Sequence, residues 1–431
     1  MHDGKQYSFI MPDLWELTKK AKAGDIEAQL AVAHAYKIGK GIKDDESEAL
    51  KWFRMAAEEG DAEGAYQTAK LLPRFLLDTD EDKLNPEVIS YLKFAAEKGH
   101  LEAQKEFALF QPGYYAPITN YNIGVEERLF WLKKAAEQDD AEAMFELGLT
   151  YYNEPNAKHL KTDYKKAVFW FTKASEKGDA EAKYYLAECY RHGRGVEYDS
   201  EKLFHLYKEA AEAGVVKAMG ELGFCYLYGF GTDYTEDEEE HEREAVRWFK
   251  EGIEQDDPDV ESYYQLGHCF QYGIGIEADE KKAFLNFKEA VSWADFYRTR
   301  VPKAECRLGI CYHEGIGTDV DYKEAVYWFE KAAEQNFERA LYMLGECYFH
   351  GYGVRKNRKK ALEYYHKVID IPELDRGFDD YEKALCALGR CYENGLGTEK
   401  NPLKAVYWYT RAEECGYNEA KEALDKLLDR K

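Results

Sequence analysis

The sequence lacks long apolar runs. None of its 431 residues belong to a stretch of 18 consecutive apolar residues, and its opening residues do not combine a basic segment with a sustained apolar one. A membrane-spanning helix needs about 20 apolar residues, and a secretory signal needs both kinds of segment. We therefore expect a chain that does not span a membrane and carries no standard export signal.

The sequence also lacks the short motifs that mark common catalytic sites. It contains no Cys-x-x-Cys pair and no Gly-x-Ser-x-Gly nucleophile elbow, and the segment HEREA at His241 lacks the second histidine of a zinc-protease helix. Carboxylates occur throughout the chain, so no pair stands out as a general acid and base. We therefore predict a protein that is not an enzyme, with no cofactor and no metal site.

Basic residues are outnumbered, and no segment rich in proline and serine divides the chain into domains. The 83 acidic and 59 basic residues give a formal net charge of −24. The electrostatic field of so negative a protein repels nucleic-acid phosphates and attracts basic surfaces. We therefore expect no nucleic-acid partner, and a protein or peptide partner for which a basic character is favoured.

A repeated motif occupies the second half of the chain. The pattern Leu-(Gly/Ala)-x-Cys-(Tyr/Phe)-x-x-Gly-x-Gly occurs six times, and its cysteines are spaced by 36, 44, 42, 36 and 44 residues. Each unit contains two helical patterns: in the first, Leu186, Tyr190 and Gly193 follow the spacing of one helix face, and in the second, illustrated by the preceding unit, Ala167, Trp170, Phe171 and Ala174 do so. Each unit is therefore predicted to be a helical hairpin.

The two glycines of the motif explain the turn of each hairpin. Helices commonly end on a residue in the left-handed conformation, which glycine adopts without a side-chain clash. The second glycine is expected to loosen the connection. A phosphate-binding role is not favoured, because no strand precedes the pair and no third glycine or Lys-Ser/Thr follows it. The predicted C-terminal caps are Gly193, Gly229, Gly273, Gly315, Gly351 and Gly395.

The motif resembles the Sel1-like repeats, which are relatives of the tetratricopeptide repeats. The resemblance covers about residues 13–428 and about ten units, of which the second and third retain only their second halves. It implies an all-α fold, a right-handed α-solenoid superhelix of stacked antiparallel helix pairs, and the usual family role of assembling protein complexes. We assign residues 1–27 to an N-terminal segment and capping helix, 28–417 to the repeats and 418–431 to a C-terminal capping helix.

The nine cysteines do not show regular pairing. Cys306 and Cys311, like Cys386 and Cys391, are five residues apart, and on a helix this spacing turns the two thiols away from each other. We expect the motif cysteines to be small buried apolar residues in a reduced, cytoplasmic protein.

The resemblance also implies that the first helix of each repeat lines a concave groove. Residues two before, two after, and five and six after the repeat leucine should then face a partner, and they are rich in aromatic side chains, which dominate recognition surfaces. The alternative is that these side chains close the groove against neighbouring repeats. The predicted partner-binding residues are Tyr184, His192, Phe224, Tyr228, Tyr264, His268, Tyr272, His313, Tyr342, Phe349 and His350.

Two other features are candidate surfaces. The acidic run at residues 235–244 is expected to lie in the connection between two helices, as a solvated loop or as an attractor for a basic segment. Irregular connections depart from the minimal unit, and insertions in solenoids often lie at binding faces. These connections are residues 74–86, 111–124, 152–163, 296–302 and 371–380.

These features favour a non-catalytic scaffold or adaptor that holds a peptide or protein in the groove. An inhibitor or immunity-type protein that masks a basic partner is the alternative, motivated by the acidic charge. An enzyme acting on cell-wall or β-lactam compounds, a role proposed for some family relatives, is a remote alternative because no nucleophile and base are paired. Oligomeric state stays open, because an open solenoid either stacks end to end or stays single behind its caps.

Overall fold

The structure is a computed structural model that describes residues 14–40, 42–73, 85–109, 124–153, 162–232, 238–372 and 380–428. Within these ranges all regular secondary structure is α-helical, and consecutive described helices pack against each other from residue 14 to residue 192 and from residue 216 to residue 428. The described helices form two compact units, residues 1–209 and 210–431. The predicted all-α fold, a solenoid of stacked antiparallel helix pairs, is confirmed.

Unit 1 begins with a single helix that is followed by helix pairs. The first helix of a pair is called the A helix and the second the B helix. The last B helix of this unit continues past Glu209, where the unit ends. The helices are α1 (Leu14–Lys22), α2 (Ile26–Ile38), α3 (Glu46–Glu58), α4 (Ala62–Leu71), α5 (Pro86–Glu97), α6 (Leu101–Ala108), α7 (Val125–Ala136), α8 (Ala141–Asn153), α9 (Tyr164–Glu176), α10 (Ala180–His192) and α11 (Ser200–Glu212).

Unit 2 contains five helix pairs and a final single helix. Its A helices are α12, α14, α16, α18 and α20, and each carries one copy of the repeated motif. The helices are α12 (Val216–Tyr228), α13 (Glu238–Ile253), α14 (Val260–Tyr272), α15 (Glu280–Phe296), α16 (Pro302–Glu314), α17 (Tyr322–Ala333), α18 (Glu338–His350), α19 (Arg358–Ile369), α20 (Tyr381–Asn394), α21 (Pro402–Glu414) and α22 (Asn418–Leu428).

Capping residues fix where the helices of a pair end and begin. Gly273 ends α14 in the left-handed conformation, with a φ of 71°, and Asp279 begins α15 by accepting a hydrogen bond from the Lys282 backbone N–H at 3.0 Å. These groups satisfy backbone atoms that a helix end leaves unpaired. All six predicted glycine caps are confirmed, with φ between 62° and 90°.

The expectation that the second glycine loosens the connection is wrong. A Cβ atom on Gly317 would lie 2.0 Å from the Glu280 carbonyl oxygen, and a Cβ atom on Gly353 would lie 2.0 Å from that of Tyr322. Both carbonyls belong to the first turn of the preceding repeat's B helix. The second glycine therefore allows two backbones of successive repeats to touch, and it tightens the stack.

The repeat leucine, cysteine and alanines form the core of each hairpin. An aromatic ring of the B helix lies over the glycine that follows the leucine: a Cβ atom on Gly309 would be 2.6 Å from the Phe329 ring. The six motif cysteines are buried, as predicted. None of the nine cysteines, all of which lie in the described ranges, forms a disulfide.

Candidate functional site

All eleven predicted partner-binding residues lie on A helices. Tyr184 and His192 are on α10 in unit 1, and the other nine are in unit 2. The two units are therefore considered separately. In unit 1, the Tyr184 ring packs against Tyr185, and the His192 imidazole lies 3.4 Å from the Glu188 carboxylate.

Three of the predicted residues form a ladder of rings along α14. The centroids of Tyr264 and His268 are 5.1 Å apart and those of His268 and Tyr272 are 5.5 Å apart, and the Phe287 ring packs against the first two. Burial, and then the nearby cationic Arg307, lower the pKa of His268 to about 4. The ladder is therefore uncharged near neutral pH and ends at Tyr272, which is 56% exposed.

A second aromatic group lies at the end of α12. Phe224 contacts Tyr228 with a centroid distance of 4.4 Å and stacks on Phe230 at 5.9 Å. Tyr228 is 54% exposed and Phe230 is 40% exposed. Phe230 was not predicted from the sequence, because it follows the capping Gly229 and therefore lies beyond the helix whose spacing was used. We call Tyr228, Phe230 and Tyr272 the aromatic surface of unit 2.

The predicted residues of α16 and α18 are more enclosed. Both ring nitrogens of His313 are buried and lack a hydrogen-bond partner among the described residues, and its ring meets Tyr322 and Tyr352 edge-on at 5.3 and 5.4 Å. Burial lowers the pKa of His313. Phe349 is buried, with the Arg390 guanidinium over its ring at 4.9 Å. His313 and Phe349 therefore contribute to packing between repeats.

The other two residues of α18 differ in exposure. Tyr342 is partly buried and its ring packs against Tyr365 with a centroid distance of 6.1 Å. His350 is exposed, stacks on Tyr352 at 5.3 Å, and lies 3.4 Å from the Glu346 carboxylate. In the described part of the chain, no group of three or more histidine, cysteine, aspartate or glutamate side chains is arranged to hold a metal ion.

A cavity of about 720 Å³ lies beside the ladder, at the N-terminal ends of α16 and α18. It draws residues from four helices and from one of the irregular connections noted in the sequence, the one at 371–380. A smaller cavity of about 220 Å³ shares Tyr264 and Lys303 with it and adds Arg300. The lining of the larger cavity is Tyr264, Lys303, Cys306, Arg307, Gln335, Asn336, Phe337, Glu338, Arg339, Lys367, Asp370, Ile371, Pro372 and Asp380.

Of these lining residues, only Tyr264 was among the partner-binding residues predicted from the sequence. Arg307 directly precedes a repeat leucine, and the other cations belong to the variable ends of helices, so no repeat position marks them as a group. The irregular connections were the available signal: the one at 296–302 contributes residues to the smaller cavity and the one at 371–380 contributes residues to the larger. The connection at 111–123, the most aromatic of the five, lies outside the described residues.

The acidic run is placed differently from the expectation. Its last seven residues form the start of α13, which begins at Glu238, whereas residues 233–237 lie outside the described ranges. Acidic side chains are favourable at a helix N-terminus, because the backbone N–H groups there carry partial positive charge. Glu242 also accepts a hydrogen bond from the Gly275 backbone N–H at 3.0 Å. Part of the acidic run therefore stabilises the start of α13 and its contact with the next repeat.

No helix in the described ranges is both long and apolar enough to cross a lipid bilayer. This observation concerns helices alone.

Comparisons with known proteins agree with the repeat architecture. A structure described as c5321, a protective antigen of uropathogenic Escherichia coli with an SLR fold, is 24% identical, with a TM-score of 0.60 over 97% of this chain and 91% of that one. A Sel1 repeat protein from Oxalobacter formigenes is 22% identical, with a TM-score of 0.50 over 83% of this chain and 96% of that one. Comparison with curated proteins finds no match.

The Sel1 repeat model matches nine segments that together cover more than half of the chain. Eight of these segments correspond to helix pairs, whereas the segment 129–140 covers only part of α7, and no match falls between residues 61 and 129. The matched segments are residues 26–61, 129–140, 141–179, 180–215, 216–257, 260–292, 302–337, 338–369 and 382–417. The chain therefore belongs to the Sel1 repeat family, whose TPR-like fold commonly serves as a protein-interaction scaffold.

Proposed function

We propose that the protein is a non-catalytic interaction scaffold that binds a peptide or protein segment on the A helices of unit 2. The observation that carries this proposal is the aromatic surface of Tyr228, Phe230 and Tyr272. These three side chains remain between 40% and 56% exposed, although packing buries the neighbouring Phe224 and His268 more deeply. Exposed aromatic rings on rigid helices provide large contact area at a small entropic cost.

The position of the aromatic surface supports binding more than packing. Tyr228 lies close enough to α14 for the Glu261 carboxylate to contribute to a raised pKa of its hydroxyl, after the larger effect of burial. Tyr272 accepts a long hydrogen bond from Arg307 on α16, at 3.4 Å. The surface therefore extends over α12 and α14 and contacts α16 through Arg307, which suits an extended segment laid across these helices.

The alternative of an inhibitor that masks a basic protein rests on the charge of −24. The acidic start of α13 supports it only weakly. Glu239 pairs with Arg243 at 3.4 Å and Glu244 pairs with Arg247 at 3.0 Å, and the Glu242 carboxylate accepts a hydrogen bond from the Gly275 backbone N–H.

We also propose a reducing compartment such as the cytoplasm, which suits a chain with seven buried cysteines and no disulfide among them.

A peptide-display selection on the full chain tests the scaffold proposal. Peptides enriched from a random library would be synthesised and their dissociation constants measured by fluorescence polarisation. The variant Tyr228→Ala/Tyr272→Ala should bind them at least about tenfold more weakly, because truncated anchor residues commonly cost more than 1.4 kcal/mol. Both side chains are more than half exposed, so the variant should retain the wild-type melting temperature.

The matched control is Tyr327→Ala/Tyr407→Ala. These tyrosines are 48% and 52% exposed but lie on the B helices α17 and α21. We expect this variant to bind as the wild type does. Equal weakening by both variants would contradict a site on the A helices, and a selection that enriches no peptide would contradict the scaffold proposal itself.

A further inference from the structure

The larger cavity of unit 2 has a charge that contrasts with the rest of the chain. Its lining contains four basic side chains against three acidic ones, a local excess of one positive charge in a protein whose net charge is −24. The basic residues are Lys303, Arg307, Arg339 and Lys367. The adjoining small cavity adds Arg300 beside Lys303.

Three of these cations have no acidic partner. Among the described residues, no carboxylate lies within 4.0 Å of the charged groups of Lys303, Arg307 or Lys367. Arg339, in contrast, donates to the Asp380 carboxylate at 2.7 Å, and Lys383 lies 3.3 Å from the same group. In a chain rich in carboxylates, cations without acidic partners around one cavity are available to a ligand.

The walls add neutral donors and apolar surface. Asn336 adopts a φ of 56° at the turn between α17 and α18, where the corresponding residue of other repeats is a glycine such as Gly178 or Gly214. The asparagine adds an amide group to the lining at a position where glycine would add none. Tyr264 and Phe337 add apolar surface to the lining.

The helix ends around the cavity favour negative charge. The helix α14 begins with Asp259, whose carboxylate accepts from the Ser262 backbone N–H at 2.7 Å, whereas α16 and α18 begin at Val301 and Phe337 without a side-chain cap. An acidic cap would offset the partial positive charge of the helix end. Glu305 and Glu338 lie in the first turns of α16 and α18 and offset part of this charge, so the positive field beside the cavity comes mainly from the unpaired cations.

We propose that this cavity binds a carboxylate of the partner segment, together with the one or two residues that carry it. The proposal rests on the scaffold function, since the aromatic surface holds the rest of the segment and Arg307 joins the two regions through Tyr272. A guanidinium, an ammonium and an amide supply the charge-assisted hydrogen bonds that a carboxylate accepts. The volume of about 720 Å³ exceeds the size of a single ion and suits part of a peptide.

The test uses the peptides enriched by display on the full chain. Each is synthesised with its acidic side chains present or replaced by amides, and with a free or amidated C-terminus, so that a side-chain carboxylate and a terminal carboxylate are distinguished. We expect loss of the relevant carboxylate to weaken binding at least about tenfold, and wild-type affinity to fall as salt concentration rises.

The protein variant is Lys303→Gln/Lys367→Gln, which leaves the Arg307 contact with Tyr272 intact, and Lys288→Gln/Arg355→Gln is the charge-matched control. Lys288 and Arg355 are exposed residues of unit 2 that do not line either cavity. We expect the first variant to lose about tenfold or more in affinity for the acidic peptide while binding its amide counterpart as the wild type does. The control should bind both peptides unchanged, and melting temperatures establish that both variants fold.

The outcomes separate this proposal from the scaffold function. Peptides that bind through Tyr228 and Tyr272 but need no carboxylate, or that bind Lys303→Gln/Lys367→Gln at full affinity, would overturn the cavity assignment and leave the scaffold function standing. Enrichment of no peptide would overturn both.

Discussion

Tyr365 on α19 donates a hydrogen bond to Glu346 on α18, with 2.5 Å between the hydroxyl and the carboxylate oxygen. Its buried ring lies over Gly345, whose lack of a side chain provides the room. The same pairing joins Tyr207 to Glu188 and, at 2.9 Å, Tyr409 to Glu393. The other three described repeats of unit 2 have phenylalanine at the ring position, Phe249, Phe287 and Phe329, and their A helices carry Phe224, His268 and Ile310 where Glu346 stands.

The change Tyr365→Phe should therefore destabilise unit 2 by about 1–2 kcal/mol, because a partly buried carboxylate loses a donor. Arg390 and His350, at 3.6 and 3.4 Å, remain near Glu346 and limit the loss. Urea denaturation of Tyr365→Phe, Glu346→Gln and the double variant measures the coupling between the two side chains. Fully additive losses would show that the pair contributes no interaction of its own.

The converse change provides the matched control. In Phe249→Tyr a buried hydroxyl would meet Phe224 and Leu227, at the two A-helix positions that elsewhere supply the glutamate. A buried hydroxyl without a partner costs about 1–3 kcal/mol. We therefore expect Phe249→Tyr to be destabilising too, and a stabilising effect would contradict the link between hydroxyl and acceptor.

The second glycine of the motif is predicted to be the least replaceable residue of a repeat. Gly317→Ala places a Cβ atom against the Glu280 carbonyl and adds the strain of a φ of 68°. Gly214→Ala adds strain at a φ of 94° but meets no atom within 4 Å. We expect a loss of about 1 kcal/mol for Gly214→Ala and about 2 kcal/mol more for Gly317→Ala, measured from urea midpoints. Equal losses would contradict the backbone contact.

The outcome for the glycines shows what the sequence predicts about the fold. The first glycine acts within its own helix, so its spacing from Leu and Cys was enough to assign the cap. The second glycine acts on a carbonyl of the preceding repeat, as Gly317 does on Glu280, and local periodicity contains no information about that contact. Within-repeat features were therefore predictable, whereas between-repeat features needed the structure.

The same distinction applies to the candidate site. Helical spacing placed Tyr228 and Tyr272, six residues after the repeat leucine, on the A helices, and both are exposed, but the same rule also selected Phe349, five residues after it, which Arg390 of the next repeat covers. The cavity was not predicted from the sequence, because its lining residues are spread between Tyr264 and Asp380 and lie partly at helix ends and in connections. Neither position in the motif nor residue type distinguishes Arg307 from other surface arginines.

The buried His268 should make stability depend on pH. Its pKa is about 4 in the folded protein, against 6.5 for an unperturbed histidine, because burial and then Arg307 and Arg339 oppose the charged form. Between these values the unfolded chain binds a proton that the folded chain does not. The free energy of unfolding should therefore fall as the pH drops from about 6.5 towards 4.

Comparison with His268→Gln isolates this contribution, since glutamine keeps polar atoms but does not titrate. We expect the decrease in unfolding free energy between about pH 7 and about pH 5 to be smaller in the variant. Burial also lowers the pKa of His313, so a residual decrease is expected. An NMR titration that gives His268 a pKa of 6.5 or above, or identical decreases in both proteins, would contradict the enclosure of this ring.

The cysteines should differ sharply in reactivity towards a thiol reagent such as DTNB. Cys415 is exposed and Cys386 is partly buried, whereas the other seven are buried. Cys306 belongs to the cavity lining but is only 1% exposed, and burial raises its pKa to about 12, so the reactive thiolate is scarce. We expect Cys415 to react first in the native protein, Cys386 more slowly, and the rest only on unfolding. Cys415→Ser should abolish the fast phase and Cys386→Ser should leave it intact. Rapid native labelling of Cys306, identified by mass spectrometry of the modified peptide, would show that the cavity opens more deeply than its packing indicates.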